Sequence, residues 1–216
     1  MILNSRLLAN LLAPQFRRPS GILGMYAARF MTGRNIPRTE WAIDKCDIRT
    51  GHVVLEIGFG PGYGLAMAAA RAADGTVYGL DFSPAMVRMA SRRNRDSVAA
   101  GKVRIVNGDL SPAPFAADFF DRIVAVNVAY FWPKPERELS EIKRILKPDG
   151  KAAFYLSDKA SMGASAFTNT GVFTKYTAEE FRLVLSACGF GAIESETRTQ
   201  FVNGNEVVGH CFLVMK

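Results

Sequence analysis

The sequence predicts an α/β protein with a mostly parallel, seven-stranded sheet, helices on both faces and an antiparallel hairpin at the C-terminal end. From residue 51 onward, short apolar runs alternate with segments of helical periodicity. The strand candidates are apolar almost throughout, which is typical of strands covered on both faces. Near the C-terminus, Asn203-Gly204 stands between two β-rich runs and indicates a hairpin turn.

The first forty residues precede this alternating pattern, and we expect a helical cap or lid at 1–40 beside a second domain at 41–216. Leucines recur at helical spacing in the first dozen residues, and Pro14 is expected to end that helix. A second, short helix is predicted at about 22–31. An arginine-rich start also resembles an organellar transit peptide, but the large apolar side chains of the second helix favour an integral cap.

The net charge of +7 comes from 27 Lys and Arg against 20 Asp and Glu, and much of the excess lies at the N-terminus. Residues 1–38 contain six arginines and no acid. Such an arm can contact phosphate or an anionic membrane surface, or close over an acidic substrate. It can equally be a solvated helix face. A weak membrane-surface contact through residues 1–38 is therefore one interpretation.

Turn and capping residues divide the rest of the chain into elements. The predicted strands are 53–57, 76–81, 103–107, 122–127, 151–156, 192–201 and 206–214. The predicted helices are 63–73, 84–95, 135–147 and 177–187. Ser83 and Pro84 suit the N-cap and first turn of one helix, and Pro148 with Gly150 suits the end of another.

Composition excludes several classes of protein. With 49% apolar and 22% charged residues, the chain is typical of a globular protein, and no apolar run approaches the roughly 20 residues that cross a membrane. Its three cysteines are odd in number and form no Cys-x-x-Cys pair, and there are two histidines. We therefore expect neither a disulfide framework nor a metal site. The expected location is a reducing compartment, the cytoplasm.

A glycine-rich loop follows the first strand, at residues 58–64 (Gly-Phe-Gly-Pro-Gly-Tyr-Gly). Glycines at the carboxyl end of a parallel strand let a ligand approach the backbone. The dinucleotide fingerprint needs a small third residue, but Tyr63 or Leu65 stands there, depending on which glycine starts the count. Pro61 also removes one backbone amide. No Gly-Lys-Ser/Thr follows, so a P-loop is absent as well.

The pattern Glu-x-Gly-x-Gly-x-Gly at 56–62 resembles the first signature of the class I S-adenosylmethionine-dependent methyltransferases. Three further polar residues agree with that family: Asp81 closes the second strand, Asp109 follows the third and Asn127 ends the fourth. The resemblance covers about residues 40–216 and is closest to the small-molecule branch, which includes the quinone-ring methyltransferases. It implies a Rossmann-like sheet.

The resemblance also implies S-adenosyl-L-methionine as the cofactor. In this family the acid at Asp81 accepts hydrogen bonds from both ribose hydroxyls, the acid at Asp109 faces the adenine amino group, and Asn127 belongs to the segment beside the methionyl moiety. The implied cofactor-binding residues are Glu56, Gly58, Phe59, Gly60, Gly62, Asp81, Phe82, Met86, Asp109, Leu110 and Asn127.

Several of these residues also have a purely structural interpretation. Asp81 can cap the following helix, and Asp109 can be an ordinary turn acid. Phe82 and Met86 can pack on the adenine ring or within the core. Glu56 differs, because a buried carboxylate needs a bonded partner, either the cofactor's amino group or nearby backbone amides.

No catalytic residue is identified from the sequence. His52 precedes the first strand and should lie opposite the glycine loop, and His210 falls in the closing hairpin, so neither is an attractive base. The candidate substrate residues are Tyr26, Arg29, Tyr130 and Trp132. A lid is expected from the N-terminal arm or from the long loop at 158–176. The larger apolar residues of that loop are Met162, Phe167 and Phe173.

We therefore expect methyl transfer to a small, partly hydrophobic acceptor, achieved mainly by positioning it for in-line attack. A peripheral-membrane enzyme acting on a quinone or lipid is the alternative. The basic arm would suit a nucleic-acid substrate, but the end of the fourth strand lacks the Asn-Pro-Pro-Tyr or Asp-Pro-Pro-Tyr of the amino-directed DNA methyltransferases, and this departure argues against an exocyclic base amine as the acceptor. A non-catalytic cofactor-binding protein is the third interpretation. The acceptor, the use of a general base and the oligomeric state are left open.

Overall fold

The computed structural model describes residues 5–163, 166–202 and 205–216, without the side chains of 5–8, 11, 22–23, 25–34, 202 and 205. The helices are α1 (Ser5–Arg17), α2 (Gly21–Lys45), α3 (Tyr63–Arg71), α4 (Pro84–Arg93), α5 (Arg95–Ala99), α6 (Pro135–Ile145), α7 (Lys159–Gly163) and α8 (Ala178–Ala187). Short 3₁₀ turns occupy Ala129–Phe131 and Phe167–Asn169.

The strands are β1 (Val53–Ile57), β2 (Thr76–Asp81), β3 (Val103–Asn107), β4 (Phe120–Val126), β5 (Leu146–Ser157), β6 (Ile193–Val202) and β7 (Asn205–Met215). They form one seven-stranded sheet in the order β3-β2-β1-β4-β5-β7-β6. The pairs among β1 to β5 are parallel, whereas β7 is antiparallel to both β5 and β6. The predicted fold class is confirmed. The predicted turn at Asn203-Gly204 lies outside the described residues.

The strand order reverses between β1 and β4, because β1 leads to β2 and β3 on one side and borders β4 on the other. In such sheets a crevice opens above the carboxyl ends of the strands at this reversal, since the following loops diverge to opposite sides. The sheet itself therefore sets the position of a ligand site.

Alternation along the strands creates one apolar layer on each face of the sheet. In β5, Phe154 packs with α6 and α8 through Leu139 and Phe181. The adjacent Tyr155 packs on the opposite face, beneath α2, with Trp41. No helix in the described residues is long and apolar enough to cross a membrane.

The N-terminal helices are longer than the sequence predicts. Pro14 lies inside α1 instead of ending it, and α2 continues through Pro37 to Lys45 instead of stopping near residue 31. A proline loses its own N–H but keeps its carbonyl, and the Arg18 N–H donates to Pro14 O over 2.8 Å. Consequently α2 crosses the expected boundary at residues 40–41.

Two other predicted boundaries shift for local reasons. Helix α4 ends at Arg93 because the Asn94 side chain donates to Ala90 O and Gly62 O, over 2.9 and 3.0 Å. Helix α6 ends at Ile145 because Leu146 pairs with Phe120 and begins β5.

Candidate functional site

A cavity of about 890 Å³ lies above the carboxyl ends of the parallel strands, at the reversal of strand order. This volume is near the upper end of the range for small-molecule pockets. Predicted site residues that line it are Glu56, Gly58, Phe59, Gly60, Asp81, Phe82, Met86, Asp109, Leu110, Asn127, Tyr130 and Trp132. Residues from four strand ends and from the N-terminal helices therefore meet in one space.

Glu56, in β1, is a buried carboxyl in the floor of the cavity, with 5% of its surface exposed. Its Oε2 atom has no hydrogen-bond partner within the described part of the chain. Burial raises the pKa of Glu56 to about 8, and the neighbouring Asp81 carboxyl adds to the increase. The helix α3 approaches this carboxyl so closely that a Cβ at Gly64 would overlap it. Glu56 is thus held in the wall without a protein partner for one oxygen.

Asp81 ends β2 and is fixed by two backbone amides. The Gly60 N–H donates to Oδ2 over 3.2 Å, and the Ser83 N–H donates to Oδ1 over 2.9 Å. Burial raises the pKa of Asp81 to about 6, although both amides oppose the increase. The N-cap of α4 is Ser83, whose Oγ accepts from the Met86 N–H over 3.4 Å. A carboxylate has about four acceptor positions, so Asp81 keeps acceptor capacity toward the cavity.

The glycines of the loop have two different roles. Gly60 has a φ of +52°, and a Cβ there would meet nothing within 4 Å, so this part of the backbone is open to the cavity. Gly62 is not among the cavity-lining residues. A Cβ on Gly62 would lie 2.7 Å from Ala90 Cβ and 2.8 Å from Asn94 Nδ2, so this glycine permits close packing of α4.

The remaining residues of the predicted adenosine side differ in exposure. Asp109 is exposed at the cavity edge, whereas Met86 and Leu110 are buried with 2% and 9% of their surface exposed. The Arg18 guanidinium lies 5.6 Å from the centre of the Phe82 ring. This contact places the end of α1 beside the loop after β2, a feature that no sequence motif indicates.

Asn127, after β4, joins the N-terminal helices to the site. It adopts a φ of +57°, its Nδ2 donates to Asn35 Oδ1 over 3.1 Å, and its Oδ1 accepts from the Tyr130 hydroxyl over 3.0 Å. The Tyr130 oxygen also accepts from the Ser157 N–H. Burial raises the pKa of Tyr130 well above its usual range. The Tyr130 hydroxyl is therefore part of a structural network.

Aromatic side chains from α1 and from the loop at 158–176 meet over the cavity. The Phe16 ring lies 5.9 Å from Phe167 and 6.4 Å from Phe173, and Phe131 lies 5.0 Å from Phe173, centre to centre. All four rings line the cavity, so both predicted lid segments contribute to one aromatic roof.

Other predicted substrate and lid residues are placed as follows. Trp132 lines the cavity and is buried against Phe154, with 6.3 Å between ring centres. Met162 also lines the cavity. The side chains of Tyr26 and Arg29 lie outside the described residues.

Neither histidine lines the cavity. His52 precedes β1, at the opposite end of the sheet from the glycine loop. His210 is buried in β7, where its Nε2 lies 3.0 Å from Asp158 Oδ2 and its Nδ1 lies 2.9 Å from Thr197 Oγ1. In the described residues, no group of three or more His, Cys, Asp or Glu side chains is placed to hold a metal ion.

Comparison with known proteins identifies the family. A model described as a methyltransferase domain matches residues 55–154. YdaC of Bacillus subtilis (strain 168), an uncharacterized methyltransferase, is 31% identical over 170 residues, which cover 79% of this chain and 88% of that protein. The chain belongs to the class I S-adenosylmethionine-dependent methyltransferase family.

Two further methyltransferases are similar to this chain. The chloroplastic 2-methyl-6-phytyl-1,4-hydroquinone methyltransferase 1 of Oryza sativa subsp. japonica is 33% identical over 102 residues, covering 47% of this chain and 30% of that protein. The structure of Haemonchus contortus phosphoethanolamine N-methyltransferase 2 with S-adenosyl-L-methionine has a TM-score of 0.74 at 17% identity, covering 100% of this chain and 60% of that chain. At this low sequence identity, the similarity to the Haemonchus contortus structure shows a shared fold.

The cofactor of this methyltransferase family is S-adenosyl-L-methionine, and the residues of the cavity fit it. The cofactor carries an ammonium group, and Glu56 offers a buried oxygen without a protein partner. It also carries a ribose diol, and Asp81 offers unused acceptor positions. Gly60 leaves the backbone open to a ligand.

Sequence reasoning missed several polar residues of the cavity wall. They are Asn35, Arg38, Thr39, Glu138, Ser157 and Ser161. Three of them lie on α2, which carries no recognisable motif. They reach the site because α2 packs across the sheet, and that arrangement is not encoded locally.

Proposed function

We propose that this methyltransferase acts on a small, partly hydrophobic acceptor and works mainly by positioning it for in-line attack. The observation that carries this proposal is the cavity above the strand ends, which is lined both by the acids of β1 and β2 and by the aromatic roof. Its volume of about 890 Å³ leaves room for an acceptor beside the cofactor.

On the cofactor side, we assign a polar contact to each of four residues. Asp81 accepts from the ribose hydroxyls, Asp109 faces the adenine amino group, Glu56 accepts from the ammonium group, and Asn127 borders the methionyl moiety. Phe82, Met86 and Leu110 contribute apolar surface around the adenine. Gly58, Phe59 and Gly60 shape the wall, and Gly62 supports it by its packing against α4.

On the acceptor side, the chain contributes orientation and exclusion of water. S-adenosylmethionine supplies an activated methyl group on a sulfonium and a neutral thioether leaving group. Holding an acceptor in line is worth roughly 7–11 kcal/mol in well-oriented reactions. The roof of Phe16, Phe131, Phe167 and Phe173 excludes water, which strengthens the electrostatic interactions in the site. We assign Tyr130 and Trp132 to the wall that orients the acceptor.

No general base is assigned. The histidines lie away from the cavity, and burial holds the pKa of Tyr130 well above its usual range. An acceptor that loses its proton readily, or attacks through a lone pair, needs no such group.

We also assign residues 1–40 the role of a lid, with α2 extending from the lid into the domain at 41–216.

A quinone or lipid acceptor at a membrane surface is the second candidate. The rice relative is a hydroquinone methyltransferase, and the roof of this cavity is aromatic. The basic segment 1–38 suits an anionic membrane surface. Deletion of residues 1–13 should then abolish co-sedimentation with anionic liposomes.

The three free thiols suit a reducing compartment such as the cytoplasm.

The proposal is tested in two steps. Calorimetry should show binding of S-adenosylmethionine and of its demethylated product. Incubation with methyl-labelled cofactor and a metabolite extract should then yield a labelled small molecule, which identifies the acceptor. A labelled nucleic acid would contradict the acceptor class, and cofactor binding without any labelled product would indicate a non-catalytic protein.

A further inference from the structure

His210 is a buried side chain of β7 with both ring nitrogens in contact with polar partners. Its Nε2 lies 3.0 Å from Asp158 Oδ2, and its Nδ1 lies 2.9 Å from Thr197 Oγ1 on the neighbouring strand β6. Asp158 directly follows β5. The imidazole therefore joins the β6–β7 hairpin to the residue at which the loop 158–176 begins.

The Asp158 side chain also holds the first turn of α7. Its Oδ1 accepts from the Ala160 N–H over 2.8 Å, and its carbonyl oxygen accepts from the Met162 N–H over 2.9 Å. Burial on its own would raise the pKa of Asp158, but the hydrogen bonds from His210 and from the Ala160 amide outweigh it and hold that pKa below its ordinary value. Asp158 is thus an ionised acceptor shared by His210 and α7.

The two partners of His210 fix where its ring carries a proton. An ionised carboxylate only accepts hydrogen bonds, so Nε2 carries a proton toward Asp158. The Thr197 hydroxyl can donate to a bare Nδ1 or accept from a protonated one, so both contacts persist in either charge state of the ring. Loss of the imidazole would leave a partly buried carboxylate oxygen without its donor, which is a costly change.

Helix α7 brings this network to the cavity. Ser161 and Met162 both line the cavity. Ser161 Oγ accepts from the Val208 N–H over 2.9 Å, and the Asp158 N–H donates to Val208 O over 2.9 Å, so α7 is tied to β7 at two points. Beyond α7, the chain continues into the aromatic roof. His210 therefore acts, through Asp158, on the segment that leads into this roof.

This part of the wall is separate from the proposed cofactor contacts. The residues that we assign to the cofactor all lie between Glu56 and Asn127 in the chain, whereas this wall begins after β5. Strands β4 and β5 separate β7 from β1 in the sheet. A shift of α7 should therefore reshape the cavity over β5 and β7 and leave the cofactor contacts in place.

We propose that His210 is a positioning residue, which holds Asp158 and thereby sets α7 in the cavity wall over β5 and β7. It contacts no ligand itself. The effect on the reaction is selective, because a loosened α7 should weaken acceptor binding and leave cofactor binding unchanged. This effect rests on the proposed function, since it assigns the α7 wall to the acceptor.

The test compares two amide substitutions that replace different ring nitrogens. His210→Gln places an amide nitrogen near the position of Nε2 and can still donate to Asp158, whereas His210→Asn reaches only the position of Nδ1. In the full chain, amide hydrogen exchange at Ala160 and Met162 should be at least about tenfold faster in the Asn variant and nearly unchanged in the Gln variant. His52→Asn, at the other histidine, is the matched control and should exchange as the unmodified protein does.

The same variants separate the acceptor from the cofactor. Calorimetry should give each of them the affinity of the unmodified protein for S-adenosylhomocysteine. With methyl-labelled cofactor and serial dilutions of a metabolite extract, the Asn variant should need a several-fold more concentrated extract to reach half of its maximal rate. The Gln variant should restore the original dependence. A purely structural loss would lower the maximal rate without moving the half-maximal extract concentration.

Three results overturn the proposal. Equal exchange at α7 in the Gln and Asn variants means that the contact with Asp158 does not hold the helix. Equal losses of cofactor and acceptor binding mean that the α7 wall serves both ligands. The third result needs no His210 variant to fold, because NMR of the ring nitrogens in the unmodified protein locates the proton. A neutral His210 ring that is protonated on Nδ1 donates nothing to Asp158.

Failure of the proposed function has a different signature. If the chain methylates no small molecule, the unmodified protein yields no labelled product from the extract, whatever the exchange at α7, and the acceptor role of this wall fails with it. If only the role of His210 is wrong, the unmodified protein forms a labelled product, and the Asn variant forms it with the same dependence on extract concentration.

Discussion

The two halves of the cavity are built in different ways. Over β1, β2 and β3, functional groups follow strand ends directly, and backbone amides of Gly60 and Ser83 fix the Asp81 carboxyl. Over β4 and β5, the segment after β4 contributes Tyr130, Phe131 and Trp132, and side chains from α1, α2 and the loop at 158–176 complete the wall. The first half depends on local sequence, and the second depends on how distant segments pack.

The two halves also differ in charge. The first contains two buried carboxyls whose pKa values are raised by burial, Glu56 and Asp81. The second contains the buried guanidinium of Arg38 and a set of aromatic rings. We propose that the first half binds the cofactor and the second half binds the acceptor. Substitutions in the first half should therefore change cofactor affinity, and substitutions in the second half should change acceptor affinity.

The largest expected effect comes from Asp81→Ala. Loss of two charge-assisted hydrogen bonds to the ribose should raise the dissociation constant for S-adenosylmethionine at least about a hundredfold. Calorimetry measures this change. Asp74→Ala, an exposed acid outside the cavity, is the matched control. Undiminished affinity for S-adenosylmethionine in the Asp81 variant would contradict the assignment of the ribose to Asp81, and with it the assignment of the first half of the cavity to the cofactor.

Glu56→Gln tests the electrostatics of the first half. The folded pKa of Glu56 is about 8 against an ordinary value of 4.5, so the folded state holds a proton that the unfolded state releases. Stability without cofactor should therefore fall as pH rises from about 5 to 8. Asp81 contributes in the same direction up to about pH 6.

The Gln variant should lose about 4 kcal/mol of this pH dependence, since each pH unit between the two pKa values is worth about 1.4 kcal/mol. Thermal unfolding at pH 5, 6, 7 and 8 measures the slope for both proteins. If stability depends on pH equally in both proteins, Glu56 is ionised in the cofactor-free protein. Its carboxylate would then be stabilised by a partner outside the contacts described above, such as a water molecule.

Gly62→Ala separates packing from cofactor contact. The added Cβ would crowd Ala90 and Asn94 at a φ of +83°, so we expect a loss of about 1–3 kcal/mol in the free energy of unfolding. Affinity for S-adenosylmethionine should change little at a temperature where the variant is folded. A strong loss of affinity at full stability would instead show that Gly62 touches the cofactor.

The smallest expected effect comes from Phe16→Ala, in the roof. Its contacts with Phe167 and Phe173 are worth about 0.5–1.5 kcal/mol each beyond buried area. We expect the KM of the acceptor to rise a few-fold to tenfold, with the cofactor dissociation constant nearly unchanged. An equal loss for both ligands would show that the roof serves the whole cavity.

Sequence reasoning predicted the first half of the cavity better than the second. The bounds of β1, β2 and β3 agree with their prediction because turn residues flank each strand. The motif residues Glu56, Asp81 and Asp109 follow from those bounds. Pro14 misleads the prediction of α1, because the helix continues past it to Arg17, and α2 runs on to Lys45 beyond its predicted end near residue 31.

The acceptor half is less accessible to sequence reasoning for a physical reason. Asn35 and Arg38 carry no spacing signal toward Asn127 or Tyr155, which lie about ninety or more positions away in the chain. Their contacts form only when α2 crosses the sheet. Phe167 and Phe173 were predicted as lid residues because the loop that holds them is unusually long.

One continuous helix has a further consequence. Because α2 carries both Arg38 in the cavity wall and Trp41 in the apolar layer between the helix and the sheet, a shift of the helix moves both side chains together. Repacking around Trp41 would therefore shift Arg38 in the cavity wall without substituting any residue of the cavity itself. Directed evolution of new selectivity should collect such remote substitutions along with changes in the pocket itself.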